Sequence, residues 1–125
     1  MFLLDTHSLL WALFDATKLP SRVAGTLSVA ENLFTSVASL WEIAIKQSLG
    51  KLEIEYDPLE IALFCEKKAI SILPILPRHL LLLKDLPALH KDPFDRLIVA
   101  QAKDENFVIV TKDSNIAKYQ VETLW

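Results

Sequence analysis

The stretch His90-Lys91-Asp92-Pro93-Phe94-Asp95-Arg96-Leu97-Ile98-Val99-Ala100-Gln101-Ala102 decides how the rest of the chain is read. Asp92 suits a helix N-cap and Pro93 the first helical position, with its φ already set. Asp95 falls in the first turn, where the helix dipole favours negative charge. Capping alone accounts for those residues. It leaves unexplained why Phe94, Leu97, Ile98, Val99, Ala100 and Ala102 cover nearly the whole circumference, a pattern that pushes both acids towards the interior. The spacing predicts a helix from Asp92 to about Glu105 that opens with two carboxylates at the edge of a core.

Downstream, Phe107 to Val110 reads as an apolar strand ending in Thr111-Lys112-Asp113. A short helix from Ser114 to Tyr119 and a strand from Val121 to Leu124 follow. Upstream, Arg78 to Leu86, with four consecutive leucines, reads as a helix apolar on more than one face and a candidate contact surface. Ile70 to Ile75 is β-rich but interrupted by Pro74, which marks an edge strand or a strand that stops there. Asp57-Pro58 opens a helix through about Lys68, and Leu52 to Ile54 is extended or loop. Ser36 to Leu49 is a strong helix with Gly50 as a natural C′ residue. Leu33 to Thr35 is a short strand. Helices over Ser8 to Phe14 and from Leu19-Pro20-Ser21 to about Ala30 precede it, and Phe2 to Leu4 is a short apolar run suited to a buried central strand. Helices alternating with short apolar strands, without repeats or linkers, predict one domain over 1–125, an α/β sandwich around a mainly parallel sheet.

Composition narrows the class. The chain has 125 residues, 52% of them hydrophobic, and a mean hydropathy of +0.31, so part of its surface is expected to be covered by another chain. A net charge of −3 and a pI near 5.5 argue against nucleic-acid binding by bulk electrostatics, leaving room for a local basic rim. The single Cys65 excludes an internal disulfide and a cysteine-rich zinc site. The opening Met-Phe-Leu-Leu meets a charge at Asp5 and lacks a basic region, unlike a signal peptide, and no apolar run reaches membrane length. The expectation is a soluble, cytoplasmic protein.

In open parallel sheets the functional crevice lies beyond the carboxyl ends of the strands. Asp5 and Asp113 each follow a predicted strand, and Asp95 starts a helix that crosses back from that same edge, so three acids are expected to converge. Glu42 borders the apolar face formed by Val37, Leu40, Trp41, Ala44 and Ile45. It reads either as a fourth member or as a surface partner of Lys46 at i, i+4. Carboxylates held together raise one another's pKa unless a cation neutralises them. An oxygen-only set, with no His or Cys at metal spacing, selects Mg²⁺ or Mn²⁺ over zinc and suits water activation at a phosphodiester. Thr6, Ser36, Ser39 and Thr111 either orient these acids or serve local caps and turns.

Four motifs in order, Phe-Leu-Leu-Asp-Thr-His (2–7), Ser-Leu-Trp-Glu-Ile-Ala-Ile-Lys (39–46), the stretch at 90–102 and Val-Thr-Lys-Asp (110–113), resemble PIN-domain ribonucleases of the VapC toxin type. The resemblance spans essentially the whole chain. It implies a three-layer α/β/α sandwich, Mg²⁺- or Mn²⁺-dependent endoribonuclease activity with a metal-activated water, homodimerisation and inhibition by a cognate antitoxin. It also implies Asp5, Glu42, Asp95 and Asp113 as the catalytic and metal-binding acids, with Asp92 kept as a cap. Two alternatives differ in class: an aspartate-nucleophile phosphatase, in which His7 stands where a second acid is typical, and a non-catalytic binding module of the same fold.

The remaining polar and aromatic residues carry two readings each. His7 touches substrate or bonds backbone at its helix start, and His79 and His90 share no ligand spacing. Lys46, Lys91, Arg96 and Lys112 contact RNA phosphates or are solvated, with Arg96 alternatively paired to a carboxylate. Trp11, Phe14 and Trp41 line a partner groove or belong to the core. The helices at 8–14 and 78–86 are the expected dimer seam or antitoxin groove.

Overall fold

Strand β1 (Phe2–Leu4) alternates its side chains across the middle of a parallel sheet. Leu3 packs into one core with Ile98, Val99, Ala102, Phe107 and Ile109, and Leu4 into another with Leu9, Val23, Ile43, Ile61 and Val110. The computed structural model describes residues 1–125. The elements run β1, α1 (Thr6–Phe14), α2 (Ser21–Val29), β2 (Leu33–Ser36), α3 (Val37–Ser48), α4 (Pro58–Lys67), β3 (Ile70–Leu73), α5 (Pro77–Asp85), α6 (Pro93–Glu105), β4 (Val108–Val110), α7 (Ser114–Ala117) and β5 (Thr123–Leu124). A short 3₁₀ turn at Ala16–Lys18, not expected from the sequence, separates α1 from α2.

The sheet order is β3-β2-β1-β4-β5, and every pairing is parallel. Up to β3 the chain winds away from β1 on one side, with α1 to α4 supplying one core. It then crosses to β4 on the other side, with α6 and α7 supplying the second. This is the expected α/β/α sandwich, and β3 takes the edge position that Pro74 suggested. The winding reverses between β1 and β4, which is where open α/β sheets place their crevice.

Local sequence explains the element boundaries. Ser36 caps α3 through the Ala38 N–H, and Asp57 caps α4 in a reciprocal box with Glu60. Asp92 accepts the N–H groups of Phe94 and Asp95, as predicted. Gly50 takes φ +67° after α3, the left-handed geometry of a C′ residue, and Leu52–Ile54 is loop. The final strand is shorter than predicted, two residues rather than four. No helix is long and apolar enough to cross a membrane.

Candidate active site

Each acid at the carboxyl edge is held by the element that delivers it. Asp5, one residue beyond β1, is 5% exposed; its Oδ1 accepts the Ser8 N–H at 2.9 Å and its Oδ2 the Thr111 hydroxyl at 2.6 Å. Ser8 in turn donates to the Val110 carbonyl at 2.8 Å, tying the start of α1 to the end of β4. Asp113 caps α7 through the Asn115 N–H, and its own N–H is fixed by Thr111 Oγ1. Thr111 therefore orients both strand-end acids, one by donating and one by accepting.

Glu42 is not a surface residue. It is 4% exposed, with the Thr6 hydroxyl at 2.7 Å from Oε1 and the Lys46 ammonium at 2.6 Å from Oε2. The Lys46 pair at i, i+4 is made, but by a buried Glu42 and not at the surface. The Glu42 hydrogen bond holds the Lys46 ammonium above its ordinary range against the opposing effect of burial, and Asp92 and Asp95 add to it.

Asp95 reports the field of the whole cluster. Burial first, then Asp92, Asp5, Asp113 and Glu42, push its carboxyl up to about 7. A second set of bonds approaches it from the C-terminal side. The Tyr119 hydroxyl accepts from Arg96 Nη1 (2.9 Å) and the His90 N–H (3.2 Å), so its own proton goes to His90 Nδ1 at 2.7 Å. His90 Nε2 then carries the hydrogen and faces Asp95 Oδ2 at 3.5 Å. Arg96 also donates to the Pro87 carbonyl, so it braces the loop before α6 and does not pair with a carboxylate.

A family profile for the PIN domain matches residues 2–122. The chain belongs to the PIN-domain family. PIN domains are generally nucleases. Among solved structures, FitAcB from Neisseria gonorrhoeae is similar at a TM-score of 0.68 and 18% identity, covering 100% of this chain and 97% of that one. FitAB bound to an IR36 DNA fragment gives 0.68 and 18%, covering 99% and 94%. VapBC2 from Rickettsia felis bound to a DNA fragment from their promoter gives 0.73 and 16%, covering 98% and 96%. No curated protein sequence matches the chain.

In this PIN domain Asp5, Glu42, Asp95 and Asp113 all act on one point, since each of the other three raises Asp95. Their oxygens nevertheless stand further apart than those of His79, Asp104 and Glu105, whose ligand atoms lie within 4.8 Å of one another. The sequence missed this second group, because a histidine in a leucine-rich segment gives no sign of being fully buried. His79 Nδ1 accepts the Leu76 N–H at 2.9 Å, which leaves the hydrogen on Nε2, 3.3 Å from Asp104 and 3.2 Å from Glu105. A protonated Nε2 cannot ligate a metal, and Arg78 already pairs with both acids. This group is a clamp between α5 and α6.

The carboxyl-edge acids answer differently. They offer oxygen donors only, and Lys46 is the one ammonium bonded to them. Burial raises Asp95 first and repulsion from the neighbouring acids adds to it, so the donor set and its uncompensated charge fit a hard divalent cation. His7 is exposed, with its ring 5.8 Å from Trp11; the expected backbone bond is not made. Phe14 stacks on Tyr56 and meets Phe64 edge-on, and α1 turns mostly inward. On α5, Leu80 and Leu81 are 49% and 60% exposed while His79 is buried, so that helix shows two leucines on its outer face, next to the exposed Arg78, Lys84 and Asp85.

Proposed function

We propose that this PIN domain is a metal-dependent endoribonuclease, the toxin of a toxin–antitoxin pair, with Asp5, Glu42, Asp95 and Asp113 as its catalytic acids. The observation that carries the reading is the Asp95 carboxyl, raised to about 7 by burial and by four neighbouring carboxylates at the switch point of the sheet. Asp5 and Asp95 would hold Mg²⁺ or Mn²⁺ directly, with Glu42 and Asp113 completing the set. When bound, the ion supplies a Lewis acid that polarises the phosphodiester and acidifies water.

The chain's own residues orient this chemistry. Thr111 and the Ser8 N–H fix the two Asp5 oxygens, Thr6 and Lys46 fix those of Glu42, and His90 approaches one oxygen of Asp95. Lys46 also offers a cation beside the acids for a substrate phosphate. The phosphatase alternative typically needs a second Asp two residues after the nucleophile, and that position is the exposed His7. The FitAB and VapBC2 neighbours, which are paired proteins, support a cognate antitoxin as partner. The outer face of α5, with Leu80 and Leu81, is our choice for a homodimer seam or antitoxin groove.

Cleavage of a structured RNA by wild type and Asp95→Asn, each with Mg²⁺, Mn²⁺ or EDTA, tests the reading. Cleavage by wild type alone, abolished by EDTA, is expected. Equal cleavage by Asp95→Asn, or none by wild type with either ion, overturns it.

A further inference from the structure

Beside the acids lies an open pocket of about 300 Å³, lined by Asp5, His7, Trp11, Lys112 and Asp113. Its size is at the lower end for small-molecule sites, enough for one nucleotide unit and far too small for a duplex. Two of its walls are aromatic. The Trp11 ring is half-buried and backed by Trp125 at 5.6 Å between centroids, which holds it in one orientation; the exposed His7 ring stands 5.8 Å away. Two ammonium groups sit around these rings. Lys112 is an exposed lining residue, and Lys18 Nζ lies 5.9 Å from the Trp11 ring centroid.

Trp11 packs one side of its ring against the core on the α1–α4 face, whereas His7, Lys18 and Lys112 are exposed and bond none of the carboxyl-edge acids. Aromatic faces beside lysines, at the rim of a chain with net charge −3, form the combination that takes an unstacked base and its phosphate. A polyanion approaching the five-carboxylate cluster is repelled, and Lys112 offsets that repulsion locally, Lys18 being paired with Asp15 at 3.5 Å. We propose that His7, Trp11 and Lys112 form a subsite for one unpaired nucleotide flanking the cleaved phosphodiester, with the base against Trp11 and a phosphate at Lys112. The proposal rests on the nuclease reading for the nature of the substrate. It adds the wall on which that unit is held, since a base within a duplex cannot leave its stack to reach Trp11 without an unpairing penalty.

Binding is measured in EDTA, where no cleavage occurs, by anisotropy of a fluorescein-labelled octaribonucleotide. Trp11→Ala is expected to weaken binding about tenfold, with Trp11→Phe restoring most of it. Lys112→Ala is expected to lower the salt dependence of log K by about 0.7, the value for one phosphate of a single strand. The same sequence annealed to its complement should bind more weakly than the single strand. Should Trp11→Ala lose its thermal transition, His7→Ala and Lys112→Ala, both at exposed positions, decide alone. Wild-type Kd values in all variants, or tighter binding of the duplex, overturn the subsite, as does an absence of binding by wild type. A parallel digestion with Mg²⁺ or Mn²⁺ separates the two readings. Binding that depends on Trp11 without cleavage sinks the nuclease and keeps the subsite, whereas cleavage indifferent to Trp11, His7 and Lys112 does the reverse.

Discussion

Two places in this molecule gather acids, and they have opposite electrostatics. At the α5–α6 junction, Asp104 and Glu105 meet Arg78 and the Nε2–H of His79, so each negative charge has a donor aimed at it. At the carboxyl edge of the sheet, Asp5, Glu42, Asp92, Asp95 and Asp113 share one bonded ammonium, that of Lys46 on Glu42, and burial together with the other four carboxylates pushes the Asp95 carboxyl up to about 7. By closeness of ligand atoms alone the first cluster is the better metal site. Compensation reverses the ranking: where charge is already neutralised a cation gains little, and where it is not a cation gains much.

The sharpest way to break this comparison is at Asp95. Asp95→Asn is expected to lower RNA cleavage by about 100-fold or more, measured as initial rate at saturating Mg²⁺. His79→Ala should leave cleavage per folded molecule intact. It removes a fully buried ring and orphans the Leu76 N–H, so urea denaturation should show a loss of about 2–4 kcal/mol. If His79→Ala instead cost activity and not stability, the two clusters would have to exchange roles.

The next effect runs the other way. In the metal-free protein Asp95 keeps a proton that the unfolded chain, with a carboxyl near 3.8, has released. Stability from that proton is full below about pH 3.8 and is lost as pH rises through about 7. Wild type in EDTA should therefore lose stability across that window, while Asp95→Asn, lacking the group, loses less. At pH 8 the variant should be the more stable by about 1–2 kcal/mol, a figure reduced for partial solvent access. Mg²⁺ should raise the Tm of wild type and leave that of the variant nearly unchanged. A variant less stable than wild type in EDTA at pH 8 would mean that the acids are not repelling one another. The smallest effect expected involves neither cluster: Ala69 takes φ +56° between α4 and β3, and Ala69→Gly should add up to about 1 kcal/mol by the same denaturation assay.

How much of this was legible depended on range. The stretch at 90–102 announced its own helix, because capping by Asp92, Pro93 at the first position and a continuous apolar run are local signals. The edge on which the acids meet followed from strand-end positions and crossover geometry, without knowledge of any contact. What stayed hidden was long-range and single-copy. Tyr119 bonds His90 across 29 positions, and nothing in a lone tyrosine after a short helix predicts its target. Arg96 read as a phosphate contact, a solvated residue or alternatively a carboxylate partner, yet its direction on the helix sends it to Pro87 and Tyr119. The burial of His79 depended on which side of α5 faces α6, and four leucines around the helix left that undetermined.

The bond from Thr111 to Asp5 spans 106 positions, and the strands that carry these residues, β4 and β1, are neighbours in the sheet. Closing so long a loop is entropically the most demanding strand pairing made by β1, which meets β2 across a much shorter one. Pairing of β4 therefore belongs late on the folding route, after the helices of the first core have docked on β1 and β2. Asp5 and Glu42 are in place by then, and Asp95 and Asp113 arrive with the closing strand. The repulsion stored among the acids is thus imposed only once most of the apolar surface is already buried, so the chain completes its most charged feature without letting it oppose collapse.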